Sequence, residues 1–229
     1  MIVLTGSSGG IGREILQYLA GIDDVIALYN SHKPSISNSE KIIYEKLDIT
    51  KPPQVDLFIE KWKHKLKNIT IVHLAAVKID GLAIGHEISD WDAVMNVNLR
   101  GNFILTKAIL KLMIKEGWGR VIHISSRGGI SGDIGTISYS SSKSALVGMS
   151  AVLSKEYAKF NITSNVLVLG TFNTGLFNEL PDKQKNSILS KIPSKKFGSI
   201  SDIFNAINFI IKSDYVTSSI INIDGGIRE

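Results

Sequence analysis

A short apolar run, Ile2-Val3-Leu4, leads directly into Thr5-Gly6-Ser7-Ser8-Gly9-Gly10-Ile11-Gly12 and then into a helix-like stretch. No other feature of the sequence constrains the fold as tightly. Glycines this close together let a chain reverse sharply after a strand, and they let backbone approach a ligand with no Cβ in the way. The unpaired N–H groups and positive end of the helix that follows then suit an anion. A glycine-rich stretch alone is weak evidence. Between a first strand and a first helix it reads as a diphosphate-binding turn.

A β-then-α rhythm continues down the chain and predicts a parallel sheet covered by helices on both faces. Strands are expected near 1–5, 24–29, 41–47, 69–74, 119–125, 162–168 and 219–223, and helices near 11–21, 52–66, 89–115, 138–159 and 201–212. Several strands are almost wholly apolar, as in Val166–Leu169, or in Val121–Ile124 with only His123 interrupting. Strands buried on both faces have that composition. The expected class is α/β: a single-domain Rossmann fold over residues 1–229, a doubly wound, seven-stranded parallel sheet. The polar segment 171–196, with Pro181 and Pro193 as breakers, is expected to be irregular and to act as a substrate lid at the sheet's carboxyl edge.

Composition removes several classes of function. There are no cysteines, so neither a disulfide framework nor a thiolate metal site is open to the chain, and a reducing, cytoplasmic setting is expected. No metal is expected. The opening residues read as a strand and not as a secretory leader, and no apolar run approaches the roughly 18 residues needed to span a bilayer. The Asn-x-Thr triplets at Asn68 and Asn161 therefore read as chance. The net charge of +5 invites a nucleic-acid reading at Lys61, Lys63, His64, Lys65 and Lys67. Val55, Ile59, Trp62 and Leu66 recur beside them at helical spacing, so these lysines read instead as the wet face of an amphipathic helix. No nucleic-acid or membrane partner is expected.

The chemistry is expected near the end of the fifth strand. Ile124-Ser125-Ser126 is followed by a glycine-rich loop and then by Tyr139-Ser140-Ser141-Ser142-Lys143, which opens a long helix. Residues four apart share a helix face, so the Lys143 ammonium is expected close to the Tyr139 phenol. A neighbouring cation favours the phenolate and should bring the phenol below its ordinary value of about 10. Tyr139 would then exchange a proton with a ketone or alcohol, and Ser126 would donate to the substrate oxygen as charge develops there.

In these motifs the sequence resembles the short-chain dehydrogenase/reductase family along its whole length. The resemblance is carried by Thr5–Gly12, Asn98-Leu99-Arg100-Gly101-Asn102-Phe103, Ser126, Tyr139-x-x-x-Lys143 and the closing Asp224-Gly225-Gly226. It implies a catalytic tetrad of Asn98, Ser126, Tyr139 and Lys143, with Asn98 holding a water that links Lys143 to solvent. It also implies an adenine contact at Asp48 and a nicotinamide contact at Thr174. Cofactor contacts are expected at Gly6, Ser8, Gly9, Gly10, Ile11, Gly12, Asn30, Ser31, Asp48, Ile49, Ala75, Tyr139, Lys143, Gly170 and Thr174. The sequence departs from the family pattern at His73-Leu74-Ala75-Ala76, where Asn-Asn-Ala-Gly is usual, and at Leu169, where a proline is usual. His73 reads as a structural residue at a strand end. His73–Ala76 also resembles the family's extended branch, but the length favours the single-domain branch.

The resemblance implies hydride transfer between a nicotinamide dinucleotide and a small-molecule carbonyl or secondary alcohol. Tyr29-Asn30-Ser31-His32-Lys33 closes the second strand with no carboxylate to repel a 2′-phosphate, which favours NADP(H) over NAD(H). Within the single-domain branch, 3-oxoacyl thioester reduction is the commonest likeness. Lys183, Lys185, Lys191, Lys195 and Lys196 would attract an acidic carrier or a phosphorylated substrate, or would simply be solvated. A homo-oligomer, tetramer or dimer, is implied through the helices carrying Asn98 and Tyr139. The alternative of another class is a non-catalytic dinucleotide-binding sensor or scaffold.

Overall fold

The computed structural model describes residues 1–34, 39–174 and 181–227. Its strands are β1 (Ile2–Thr5), β2 (Val25–Tyr29), β3 (Ile42–Lys46), β4 (Ile69–His73), β5 (Gly119–Ser126), β6 (Ile162–Leu169) and β7 (Ile220–Ile223). They form one seven-stranded sheet in the order β3-β2-β1-β4-β5-β6-β7, and every neighbouring pair is parallel. The doubly wound α/β expectation is thus met. The order reverses between β1 and β4, and the carboxyl ends of strands at such a switch point open into a crevice.

Alternation along the strands explains why both faces must be covered. In β1, Ile2 and Leu4 join one core while Val3 joins the other, because successive side chains of a strand point to opposite faces. The first core is closed by α1 (Gly10–Ala20) and α8 (Ile200–Lys212), which contribute Ile15, Leu16, Leu19, Ile203, Ile207 and Ile210. The second is closed by α2 (Pro52–Trp62) and α4 (Asn102–Glu116), through Val55, Phe58, Trp62, Leu105, Ile109 and Met113. The lysines of the 61–67 segment stay on the outer side; Lys61 Nζ pairs with Glu45 at 2.7 Å. Asn68 and Asn161 both hold positive φ, a conformation that asparagine tolerates better than most residues.

Helix α6 (Ile137–Tyr157) joins the second face differently. Its inward positions include Ser138, Ser142, Lys143, Ser150 and Ser154, and Ser150 Oγ meets Ser164 Oγ of β6 at 2.9 Å. Small hydroxyl side chains let this helix lie close to the sheet, and those of Ser142, Ser150 and Ser154 are paired while the buried Ser138 Oγ has no partner among the described residues.

Two local expectations are revised. The helix expected over 89–115 consists of α3 (Ile88–Met95), one π-type turn (Asn96–Gly101) and α4. The supposedly irregular 171–196 segment contains α7 (Asp182–Lys191) after Pro181; residues 175–180 of the expected lid lie outside the described residues. None of the side chains of α7 is buried, so it carries no apolar stripe to betray it in the sequence. A short helix, α5 (Gly128–Ser131), also follows β5.

The packing carries a direct test. Ile207 is fully buried in the first core, whereas Phe209 on the same helix is 52% exposed. Ile207→Ala is expected to cost about 2–5 kcal/mol in urea unfolding, and Phe209→Ala less than about 1 kcal/mol. Equal costs would contradict the assignment of the helix face.

Candidate active site

The turn after β1 is shaped by backbone contacts that admit no side chain. Gly6 has φ +69°, and a Cβ there would stand 2.7 Å from Ala75 Cα; one on Gly12 would stand 2.2 Å from the Gly6 carbonyl oxygen. Ser7 ties the turn to β2, its N–H and Oγ both donating to Leu28 O, at 3.1 and 2.9 Å. Thr5 Oγ1 accepts from the N–H groups of Leu74 and Ala75, each at 3.0 Å, which fixes the exit of β4 beside it. Helix α1 starts after Gly9 with no side-chain cap and no acidic residue in its first turn. Its leading N–H groups therefore remain available to an anion.

Two adjoining clefts open over this turn. One, about 360 Å3, is bounded by Gly6, Ser8, Gly9, Asn30, Ser31, Asp48, Ile49 and Ala75, among others. The other, about 420 Å3, is bounded by Gly9, Gly10, Ile11, Gly12, Ser126, Tyr139, Lys143, Gly170 and Thr174, among others. They share Gly6, Gly9, Leu74 and Ala76. Every residue named from the sequence as a cofactor contact lines one of the two. Two clefts that meet over the uncapped start of α1 suit a dinucleotide, with its diphosphate at the junction. In the first cleft the Asp48 carboxylate is steadied by Thr50, whose N–H and Oγ1 donate to Oδ1 at 2.9 and 2.7 Å.

Ser126, Tyr139 and Lys143 meet on the wall of the second cleft. Lys143 Nζ donates to Ile124 O at 2.7 Å, and Ser125 Oγ donates to Lys143 O at 3.0 Å, so β5 and α6 are stapled in both directions. Lys143 Nζ lies 5.7 Å from the centre of the Tyr139 ring. Burial pushes the Lys143 ammonium down to about 8. The expectation for Tyr139 is corrected: burial raises its phenol above the ordinary value, a bond with Ser126 pulls it partly back, and the charge of Asp133 raises it further. Desolvation disfavours a phenolate more than the amine favours it here. The hydroxyl is thus held as an acid with its proton on.

Asn98 lines neither cleft and is fully buried in the π-type turn. Its side chain accepts from Val77 N at 2.8 Å and donates to Val77 O at 2.9 Å and to Ser142 Oγ at 3.0 Å. Ser142 Oγ in turn donates to Tyr139 O at 2.7 Å, so a chain of bonds runs from the loop after β4 to the first turn of α6. Asn98 O accepts from Asn102 Nδ2 at 2.8 Å. The contributions of Thr5, Ser7, Val77 and Ser142 were not evident from the sequence, because each is a tertiary contact made by a common residue type.

His73 is fully buried and lines neither cleft. Its Nε2 meets Thr106 Oγ1 at 2.7 Å, and its ring stacks on His123 at 5.2 Å with 7° between planes. Burial lowers both imidazoles, His123 to about 3, so both stay neutral near pH 7. Among the described residues no cluster of side chains suited to a metal is found, and no helix is long and apolar enough to cross a membrane.

Comparison with known proteins agrees with this geometry. The sequence profile described as short chain dehydrogenase matches residues 1–185. A 3-oxoacyl-(acyl-carrier-protein) reductase FabG of Rickettsia conorii is 32% identical over 234 residues, covering 98% of this chain and 95% of its own. The protein of the same name from Thermotoga maritima is 31% identical over 236 residues, covering 98% and 96%. Nodulation protein G of a Rhizobium species is 29% identical over 233 residues, covering 98% and 95%.

The turn geometry is open to measurement. Gly12→Ala is expected to weaken dinucleotide binding by at least about tenfold, since the added methyl would collide with the Gly6 carbonyl and displace the anion site. Gly148→Ala, where a Cβ meets nothing within 4 Å, should leave binding unchanged in the same fluorescence titration. Unaltered affinity in the Gly12 variant would refute the proposed seat.

Proposed function

The chain belongs to the short-chain dehydrogenase/reductase family and is an NAD(P)-dependent oxidoreductase, and on that premise we propose that it reduces the carbonyl of a 3-oxoacyl thioester with NADPH. The observation that carries the catalytic reading is the gathering of Ser126, Tyr139 and Lys143 on the wall of a cleft that begins at the glycine turn. The thioester is suggested by the names of the Rickettsia and Thermotoga relatives. Those names are of reductases, so the sensor or scaffold alternative is not favoured.

The bound dinucleotide supplies the hydride. Ser126 Oγ donates a hydrogen bond to the substrate oxygen and strengthens it as negative charge builds there. Tyr139, whose proton is held firmly by burial, acts as the general acid and delivers that proton to the same oxygen. The Lys143 ammonium, 5.7 Å from the centre of the Tyr139 ring, stabilises the phenolate left behind. Asn98 fixes the loop at Val77 and the first turn of α6, and so positions Tyr139. Preference for NADPH follows from the rim after β2, where Asn30, Ser31 and His32 line the cleft without a carboxylate. Residues 1–229 are read as one domain. Phe103 on α4 and Val152 on α6 are about half exposed, which supports self-association through the helices near Asn98 and Tyr139. A reducing, cytoplasmic setting fits the cysteine-free composition.

Activity should depend on pH with a definite sign. A lysine displaced to about 8 carries its charge below that pH and loses it above, so kcat/KM for carbonyl reduction should be level near pH 7. It should then fall by about tenfold per unit above the displaced value. Tyr139→Phe should lower kcat by roughly 10²–10⁴-fold while leaving dinucleotide affinity within about threefold. NADPH oxidation with a panel of 3-oxoacyl thioesters, sugars and steroids checks all of this. Turnover confined to sugars or steroids, or a clear NADH preference, would displace the thioester or the NADPH assignment respectively.

A further inference from the structure

Beside the dinucleotide cleft lies a larger cavity, about 690 Å3, that shares Ser126, Leu169 and Gly170 with it. Its lining carries two cations, Arg127 and Lys191, and one carboxylate, Asp133. Arg127 directly follows the serine that faces the reacting carbonyl in the reading above. Its side chain is 15% exposed, and its Nε lies 3.6 Å from Oδ2 of Asp224, which is 8% exposed. That distance makes an ion pair but not a hydrogen bond.

The donors of this guanidinium are therefore unspent. Its Nε is sealed from solvent with no partner, and no hydrogen bond from the guanidinium is found among the described residues. A guanidinium presents five N–H donors in a rigid fork, and burying donors without acceptors is unfavourable. Asp224 balances the charge without taking the donors, and it is itself anchored by the Gly226 N–H on Oδ1 at 2.9 Å. Asp133 does not take them either; its carboxylate lies against Gly128, 2.8 Å from where a Cβ would stand. Nε is closed off beside Asp224, so the cavity that Arg127 lines can supply acceptors to the terminal N–H groups of the fork.

We propose that Arg127 is a specificity-determining residue whose fork grips an anionic oxygen group, carboxylate or phosphate, that the substrate carries beyond its reacting carbonyl. The proposal rests on Ser126 and Tyr139 holding that carbonyl. Asp224 orients the fork, and Lys191 at the end of α7 adds a second positive charge on the cavity lining. Arginine suits this role better than lysine because its planar donors match two oxygens at once.

The test uses the dinucleotide-saturated protein, so that the glycine turn is already filled, with malonate and inorganic phosphate as probes in thermal melting. R127M/D224N removes the ion pair as a unit and leaves no uncompensated buried charge; R127K keeps the charge and loses the fork, and it carries the test alone if the double variant does not fold. Stabilisation of the wild type by either anion, lost in R127M/D224N and reduced in R127K, upholds the proposal, and the stronger anion tells carboxylate from phosphate. An equal response in wild type and variants, or none in the wild type, overturns it. A kinetic arm separates the two readings. Between matched ketones with and without a carboxylate, the charged one should lose roughly tenfold in kcat/KM in R127K, and the neutral one should be unaffected. Turnover of neither ketone defeats the carbonyl-reductase reading, on which the melting result does not depend.

Discussion

The two hydrogen bonds that join β5 to α6 hold the candidate site together. Lys143 Nζ on Ile124 O and Ser125 Oγ on Lys143 O fix the first turns of a long helix against the carboxyl end of a central strand. Ser126 and Tyr139 stand on different elements, β5 and α6, and they share a wall because of this staple. The buried amine meets a carbonyl dipole there. That keeps it partnered, yet burial still brings its protonation close to the neutral range. The same burial acts on the phenol in the opposite sense. Desolvation thus leaves a phenol that keeps its proton and an ammonium that gives its proton up more readily.

The second constraint is the switch point between β1 and β4. Thr5 and Ser7 lock the glycine turn to the neighbouring strand ends, and Asn98 carries that rigidity through Val77 and Ser142 to Tyr139. The anion seat and the candidate acid are therefore parts of one bonded framework. Such a framework is what holding two reactants at a fixed distance requires. The stacked pair His73 and His123 lies in the same sheet, and burial keeps both rings neutral, so it adds no charge beside the site.

Much of this was legible in the sequence, for identifiable reasons. The central strands are short runs rich in β-branched apolar residues, because both faces of the sheet are covered there, and the glycine turn announced the first βα unit; at the edges β3 ends in Glu45-Lys46 and β7 stays partly exposed. The residues expected around the dinucleotide line the two clefts because strand ends and turn glycines fix them locally. What escaped depends on tertiary surroundings. Helix α7 buries nothing, so no periodicity marks it. The π-type turn around Asn98 leaves the apolar pattern of its helix intact. The direction of the Tyr139 shift turns on how deeply the phenol is buried, and a four-residue spacing to Lys143 does not contain that information. Nothing in the sequence marks Arg127, because its pairing with the distant Asp224 and its place on a cavity wall are tertiary features.

The account stands on Lys143 being a buried, carbonyl-bonded amine beside the phenol. Its protonation is directly measurable by NMR titration of isotope-labelled lysine Cε signals, with the resonance assigned by its loss in Lys143→Arg. A midpoint near 8, set apart from the surface lysines, is the expected result. A midpoint near 10.4, the value of a freely solvated lysine, would place the amine outside the site and contradict the account.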